Sequence, residues 1–368
     1  MLNKEYHSFN DMKRLKIVFL TTLTKAQIQE KPSNFSYYVK DMLYDERLDI
    51  RLINPKDVIC KSGVMGDLQL VRTINKINPD ILYLTGLMGL NNIVVCRALG
   101  LLHCRIFTWK YTFCATGRNK VVHFILKNIY WKNISKIYMA YDRHTEKALQ
   151  DGIVKPNQIV TLSRGVEYQW YEKFIDKSAK DNDFTVVATG KDNRDYDTLC
   201  AACEKAQVKC YVYTRKHDSC LKAAKKFANS KYCKIVFMED LHVTDEYEYI
   251  MQQVGKANVL AICCTDVPYG VGYTNVVEGL PYCIPILITS NPNAHLDVEK
   301  EGIGYNIALY DIDDWAAKLK YLKEHPEVRT KMANNVERLI KSEWNDSVTS
   351  SFIINDMLKN KDLTRWRN

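Results

Sequence analysis

Short apolar segments alternate with segments of helical periodicity along this chain, and the alternation runs through two successive series. Strands that alternate with helices form parallel sheets with helices on both faces. The pattern restarts at Phe184 after a polar stretch, which predicts a second sheet. The sequence therefore predicts an α/β protein with two tandem, doubly wound, Rossmann-like domains, with helices that include 33–42 and 120–131. The apolar segments lie at 15–20, 49–53, 80–85, 105–108, 136–139 and 158–162, then at 184–189, 209–214, 234–238, 258–263 and 286–289.

The expected domain boundaries follow from this restart. A chain of 368 residues has the length of two ordinary domains. We expect an N-terminal domain at residues 1–170 and a C-terminal domain at 180–345, with the polar residues 165–183 as linker. The helical segment at about 346–368 is expected to pack back on the N-terminal domain. Ligands of such sheets bind at the carboxyl ends of the strands, so functional residues are expected in the loops that follow them.

The composition argues against several classes of protein. An apolar content of 46% and a charged content of 26% are typical of globular proteins. The sequence has no run of eighteen apolar residues, so no membrane-spanning helix is predicted, and its polar start is unlike a signal peptide. Among 12 cysteines, the Cys200–Cys203 pair lies in a predicted helix without a second pair at zinc spacing. We therefore expect free thiols in a reducing cytoplasm and no metal.

Positive charge is concentrated in the first half of the chain. Residues 1–180 hold 28 lysines and arginines against 16 acidic residues, whereas the remainder holds 24 against 27. Residues 101–141 contain seven cations, no acidic residue and several aromatic residues between them. This segment either lies on an anionic membrane surface or forms a core helix with a solvated basic face. No recognised motif supports nucleic-acid binding.

Residues 259–291 read as a strand, a glycine-containing loop, a short helix and a second strand. Gly270 and Gly272 allow a sharp turn and a close approach to a ligand. Thr274 is the predicted N-cap, so the start of the helix would point its free N–H groups at a diphosphate. Glu278, one turn further on, could accept hydrogen bonds from ribose hydroxyls. Asn275 stands in place of the third glycine of the dinucleotide fingerprint. A Rossmann oxidoreductase is disfavoured because neither 18–21 nor 188–190 supplies that fingerprint after a first strand.

A second polar loop follows the first strand of the C-terminal domain, with the sequence Thr-Gly-Lys-Asp-Asn-Arg at 189–194. Lys191 and Arg194 could clamp a diphosphate, Arg194 with two hydrogen bonds and Lys191 as a point charge. They could also stabilise a departing nucleoside diphosphate as its charge develops. The alternative is an ordinary exposed loop. Asp195 is predicted to cap the following helix.

The 259–291 segment resembles the donor-site signature of the retaining GT-B glycosyltransferases of family 4. Glu278 on its helix, Pro285 and the strand at 286–289 follow the order found in that family. Position 270 departs from it, since glycine stands where the first of two glutamates is usual. Asp266 in the same loop is a candidate substitute for that glutamate. The resemblance extends over about residues 130–310 and includes Lys191 and Arg194, with lysine in place of the usual arginine.

This resemblance implies two domains facing a cleft, and transfer of a sugar from a UDP- or GDP-sugar to a glycan or lipid-linked glycan with retention of configuration. The expected role is surface polysaccharide synthesis, in the cytoplasm or peripherally on the inner membrane face. The nucleotide sugar is a substrate, so no cofactor and no metal are expected. The alternative is a non-catalytic GT-B protein that binds a nucleotide or a partner. The implied catalytic residues are Lys191, Arg194 and Asp266, and the implied donor-binding residues are Gly190, Gly270, Gly272, Tyr273, Thr274, Asn275 and Glu278.

Overall fold

The computed structural model of the protein describes residues 14–60, 63–85, 91–110, 120–139, 143–176 and 183–359. The chain divides into two compact units. The first comprises Met1–Ser163 with Ser347–Asn368, and the second comprises Arg164–Asp346. Each unit contains a six-stranded parallel sheet. The two series of apolar segments predict both sheets, but the second series has five segments, and the strand Gly304–Ile307 was not predicted.

The sheet of the first unit has the strand order β2-β1-β3-β4-β5-β6. Its strands are β1 (Leu15–Leu20), β2 (Leu48–Ile53), β3 (Ile81–Thr85), β4 (Arg105–Trp109), β5 (Lys136–Met139) and β6 (Ile159–Thr161). Its helices are α1 (Lys25–Glu30), α2 (Val39–Met42), α3 (Pro55–Val58), α4 (Val64–Ile77), α5 (Asn91–Ala98), α6 (Lys120–Ile125) and α7 (Arg143–Gln150). The helix that spans Asp346–Lys359, named α15 below, also packs on this sheet.

Both faces of the first sheet are buried, because successive strand residues point to opposite sides. In β1, Val18 and Leu20 pack with α4 on one face, whereas Ile17 and Phe19 face the other. That second core also contains three buried residues of the C-terminal helix α15, which are Ile353, Ile354 and Met357. The core of the first sheet is therefore completed by helix α15, which follows the second unit in sequence.

The sheet of the second unit has the order β12-β11-β10-β7-β8-β9. Its strands are β7 (Thr185–Thr189), β8 (Lys209–Thr214), β9 (Cys233–Phe237), β10 (Val259–Ile262), β11 (Ile286–Thr289) and β12 (Gly304–Ile307). Its helices are α8 (Tyr168–Glu172), α9 (Tyr196–Ala206), α10 (Asp218–Lys226), α11 (Glu246–Gly255), α12 (Tyr273–Gly279), α13 (Ile312–Glu324) and α14 (Pro326–Lys341). Helix α15 (Asp346–Lys359) begins where this unit ends.

Part of the predicted linker is folded into the second unit. Trp170 and Tyr171 on α8 are buried, and Trp170 contacts Phe174 and Tyr247 with ring centroids 5.2 and 5.8 Å apart. The prediction that residues 165–183 form a linker is therefore wrong for residues 165–176. It fails because the segment is polar in sequence, whereas Trp170 and Tyr171 pack against Tyr247 and Tyr282, which are distant in sequence. Residues 177–182 lie outside the described part.

Two predicted helices are interrupted. The predicted helix 33–42 breaks at Tyr37 and Tyr38, which have φ values of 54° and 67°. Tyr38 is buried against Trp109, with centroids 5.5 Å apart, so tertiary packing overrides the local helical preference. The predicted helix 120–131 continues beyond Ile125 only as a wider π turn over Leu126–Tyr130. Such turns are rare in long helices.

Candidate functional site

The two loops that the sequence singles out lie side by side in the second unit. They follow β7 and β10, which are neighbouring parallel strands. The Asp195 N–H donates to the Cys263 carbonyl at 3.0 Å, and the Thr265 N–H donates to the Asn193 carbonyl at 3.1 Å. Asn193 also donates from its side chain to the Tyr269 hydroxyl at 2.8 Å. The carboxyl ends of these strands therefore carry one continuous polar surface.

Helix α12 begins one residue before the predicted cap. Gly272 is the N-cap, with a φ of 82°, and Thr274 is the exposed second helical residue, so its prediction as the cap is wrong. Glycine occupies this place because a Cβ there would lie 2.6 Å from Ile262 Cγ2 and the backbone is left-handed. The first helical hydrogen bond runs from the Val276 N–H to the Gly272 carbonyl at 3.1 Å. The N–H groups of Tyr273 to Asn275 precede it and can serve a ligand.

The predicted cations have different surroundings. Lys191 is exposed, and its ammonium lies 3.8 Å from Asp192. Arg194 is only 7% exposed, and it donates to the Thr189 carbonyl at 3.2 Å and the Asp192 carbonyl at 2.9 Å. Lys191 can therefore reach an anion directly, whereas Arg194 is engaged by the protein.

Arg194 also joins the two loops through a side chain of α12. It donates to the Asn275 amide oxygen, and the Asn275 amide nitrogen donates to the Thr189 hydroxyl. Gly190 makes room for this arrangement, because a Cβ there would lie 2.8 Å from Arg194 Nη2. The structure thus brings Gly190, Arg194 and Asn275 together as a buried polar network at the start of α12. The predicted cap at Asp195 is confirmed, since its carboxylate accepts from the Thr198 N–H at 3.1 Å.

Position 270 has no space for the glutamate that the resemblance would place there. A Cβ on Gly270 would lie 2.6 Å from the Asn293 carbonyl oxygen and 3.2 Å from His295 Nε2. Asp266, the candidate substitute, is exposed in the same loop, and its N–H donates to the Tyr310 hydroxyl at 3.4 Å. His295 packs edge-on against Tyr273, with centroids 4.4 Å apart. The imidazole of His295 therefore borders the place of the absent carboxylate, a neighbour that the sequence did not indicate.

Glu278 lies one turn into α12 in an environment that disfavours its charge. Its side chain is partly buried, and burial raises its pKa from 4.5 to about 7. The charge of Arg164 and a hydrogen bond from Tyr247 act in the opposite direction. The hydroxyl of Tyr247 in turn lies 2.8 Å from the hydroxyl of Tyr171. A carboxylate kept in such a setting is a common property of functional sites.

Arg164 and Tyr247 are site residues that sequence reasoning missed. Arg164 stands immediately before the Gly-Val-Glu segment at 165–167, and it lies within residues 130–310, over which the family resemblance extends. Its place beside that segment could therefore have identified Arg164 as a candidate site residue. Tyr247 lies on α11 in a run of alternating glutamates and tyrosines and has no distinctive pattern. Its proximity to Glu278 depends on the packing of α11 and α12.

The arrangement can bind an anion and an adjacent hydroxyl-bearing group. Free N–H groups at the start of α12 and the ammonium of Lys191 suit a diphosphate. The carboxylate of Glu278 suits ribose hydroxyls. Within the described ranges, no three His, Cys, Asp or Glu side chains are placed to share a metal ion. None of the helices in the described part is both long enough and apolar enough to cross a membrane.

The sequence matches no protein family model and no curated protein. Solved structures do match it. A glycosyltransferase from Rickettsia africae superposes with a TM-score of 0.70 at 12% identity, over 94% of this chain and 99% of that one. HepE from Anabaena, in complex with UDP, gives 0.64 at 11% identity, over 94% and 100%. WaaG, a glycosyltransferase involved in lipopolysaccharide biosynthesis, gives 0.59 at 11% identity, over 96% and 100%.

These similarities define the class of fold. The two Rossmann-like domains have the same fold as these glycosyltransferases, the GT-B fold, which confirms the predicted fold class. HepE has been solved with UDP and with UDP-glucose. Identities of 11 and 12% establish a shared fold, and membership of family 4 stays a prediction.

Proposed function

We propose that this protein is a glycosyltransferase that transfers a sugar from a nucleotide-sugar donor to a glycan or lipid-linked glycan. The observation that carries this proposal is the pair of loops at the carboxyl ends of β7 and β10. They combine free N–H groups at the start of α12 with the partly buried carboxylate of Glu278. The GT-B fold and the UDP complexes of HepE support a UDP-sugar as donor, with a GDP-sugar as the alternative.

In this proposal the donor diphosphate lies at the start of α12. The N–H groups of Tyr273, Thr274 and Asn275 bind its oxygens, and Gly270 and Gly272 let it approach the backbone. Lys191 neutralises the charge that develops as the nucleoside diphosphate departs. Arg194 acts indirectly, because it holds the side chain of Asn275 in place. Its positive charge also raises the electrostatic potential at the start of α12.

Glu278 binds the ribose in the same proposal. A carboxylate accepts hydrogen bonds from two adjacent hydroxyls, and charge-assisted bonds of this kind are strong. Tyr247 and Arg164 orient the carboxylate and favour its ionised form. Asp266 is proposed to contact the donor sugar, because Gly270 supplies no side chain.

Retention of configuration and independence from a metal are the finer parts of the proposal, and they rest on the family resemblance. In such chemistry the departing phosphate accepts the proton of the acceptor hydroxyl, so no protein nucleophile is required. The N–H groups at the start of α12 and the ammonium of Lys191 stabilise the negative charge of the departing nucleoside diphosphate. A role in surface polysaccharide synthesis, at the cytoplasmic face of a membrane, belongs to the same proposal.

The basic segment 101–141 supports the peripheral membrane location. In its described part, α6 exposes Val121 and Phe124 at 68% and 62%. Lys120, which precedes Val121 in sequence, and Lys132 are also exposed. Exposed apolar residues between cations are typical of helices that lie on anionic membranes.

The test is a thermal-shift panel of UDP, GDP, TDP, CMP and NAD, followed by a donor-turnover assay with sugars of the nucleotide that binds. Ligands that bind the native state raise the melting temperature. We expect one nucleoside diphosphate to stabilise the protein and the Lys191→Ala variant to lose much of that shift. Lys222→Ala, an exposed lysine on α10, is the matched control. The absence of a shift with every nucleotide would contradict the donor site.

A non-catalytic GT-B protein is the second candidate, and the occupied space at Gly270 favours it. The two candidates differ in turnover. Binding of a nucleotide sugar without hydrolysis or transfer, across a panel of glycan and lipid-linked acceptors, would favour the non-catalytic protein.

A further inference from the structure

A large cavity opens in the first unit, away from the strand ends that a GT-B site would use. Its volume is about 810 Å³. Arg105 and Lys136 lie in its wall and are the first residues of the neighbouring parallel strands β4 and β5. The cavity therefore lies at the amino-terminal edge of its sheet, whereas the donor loops belong to the second unit.

The wall of this cavity is strongly positive. The described residues that line it include five cations, which are Arg97, Arg105, Lys132, Lys136 and Lys155, and no aspartate or glutamate. Asp356 lies 3.8 Å from Lys136 and compensates part of this charge. Like charges held in one partly desolvated space repel one another. An anion that enters the cavity relieves this repulsion.

Neutral side chains hold the wall in place. Gln158 is buried and donates from its amide nitrogen to the Trp131 carbonyl at 3.0 Å and the Ile134 carbonyl at 2.6 Å. Its amide oxygen accepts from the Lys155 N–H at 2.8 Å. These bonds fix the turn that presents Lys155 relative to the segment that presents Lys132. A wall that is ordered before binding loses less conformational entropy when a ligand arrives.

An exposed apolar surface adjoins the cavity. Ile129 lines the cavity and is 36% exposed. Upstream of it, Val121, Phe124 and Ile125 are 68, 62 and 43% exposed. A soluble phosphate ester has no apolar part that could cover these side chains, whereas a lipid presents a phosphate and a hydrocarbon region together.

We propose that this cavity is a binding site for the phosphate of an anionic lipid head group, with Val121, Phe124, Ile125 and Ile129 in contact with the acyl region. The proposal deepens the peripheral membrane location given under Proposed function, and it does not depend on the donor site. The chemistry recognised is a phosphate diester. The lipid is the favoured source because of the adjoining apolar surface.

The test measures cosedimentation of the full-length protein with vesicles at about 0.15 M ionic strength, where surface charges are screened beyond about 8 Å. The vesicles contain phosphatidylglycerol in phosphatidylcholine, and pure phosphatidylcholine vesicles serve as the neutral reference. The cavity variant is Lys132→Gln with Lys155→Gln, both exposed lysines. The control is Lys222→Gln with Lys225→Gln on α10, which removes the same charge from the second unit.

We expect the wild type and the control to bind the anionic vesicles equally, and the cavity variant to bind about 30-fold more weakly, at about fivefold for each lysine. Phe124→Ser should weaken binding as well. Equal losses in the cavity variant and the control would overturn the site. Failure of the wild type to bind anionic vesicles would also overturn it.

Two further measurements separate the remaining outcomes. Calorimetric titration with glycerophosphoglycerol, a soluble phosphate diester without acyl chains, shows whether a free phosphate diester binds; binding of that diester without vesicle binding would overturn the lipid as the ligand. The thermal shift with UDP is recorded on the cavity variant, where we expect it to be unchanged. A lost vesicle interaction with an intact UDP shift supports the lipid site whatever the outcome for sugar transfer.

Discussion

Glu278→Gln should make the protein more stable above neutral pH and a weaker nucleotide binder. Burial raises the pKa of Glu278 from 4.5 to about 7 in the folded protein. A carboxyl group with a raised pKa favours folding while it is protonated. Its contribution is therefore fully present below about pH 4.5 and is lost as pH rises through 7. The difference between these two pKa values corresponds to a loss of about 3 kcal/mol in the free energy of unfolding at pH 8.

Glutamine has nearly the same shape and carries no charge, so it avoids this loss. We expect the free energy of unfolding of the variant to equal that of the wild type near pH 4.5 and to exceed it by up to about 3 kcal/mol at pH 8. Urea denaturation of both proteins at the two pH values, followed by circular dichroism, measures the difference. Glu337→Gln is the control, because Glu337 lies on the surface of α14 beside Lys341.

The same substitution should weaken nucleotide binding. A hydrogen bond to a charged group contributes about 1.5–3 kcal/mol, so we expect affinity for the stabilising nucleoside diphosphate to fall about ten- to a hundredfold. Wild-type affinity should also decline as pH falls below about 7, as Glu278 becomes protonated. A variant that is no more stable at pH 8 and binds the nucleotide normally would refute the reasoning about this carboxylate.

Three further substitutions test the neighbouring positions. Gly272→Ala should destabilise the protein by about 2–4 kcal/mol, measured by urea denaturation, because it adds left-handed strain and a 2.6 Å contact with Ile262. Gly270→Glu, which supplies the family glutamate, should lower stability and not raise turnover, since the Asn293 carbonyl occupies its space; increased sugar transfer would contradict this. Lys191→Ala should leave the melting temperature of the unliganded protein within about 1 °C and reduce turnover at least tenfold, because its 57% exposed side chain has only Asp192 as an ion-pair partner among the described residues.

The strands were the most predictable part of the fold. Parallel strands are buried on both faces, so they appear in the sequence as continuous apolar segments. The segments predicted at 15–20, 209–214 and 286–289 have the bounds observed for β1, β8 and β11. Segment 33–42 was less predictable, because the left-handed Tyr38 is held by Trp109, a residue 71 positions away.

The candidate site was predictable where its chemistry is local. The glycine loops and the helix with Glu278 are short continuous patterns, and the structure places them at the ends of adjacent strands. The burial of Arg194 was not predictable, because it depends on Asn275, a residue 81 positions away. Arg164 and Tyr247 likewise approach Glu278 only through the packing of the second unit.

The return of α15 to the first sheet has a consequence for folding during synthesis. Ile353, Ile354 and Met357 belong to the core that contains β1, yet they leave the ribosome after every residue of the second unit. Domains fold as units while the chain emerges, so the second unit can complete its core first. One face of the first sheet stays exposed to solvent until α15 has been synthesised. A chain that ends at residue 345, and is held on the ribosome by an added flexible linker long enough to span the exit tunnel, should therefore have a protease-resistant second unit and a protease-sensitive first one.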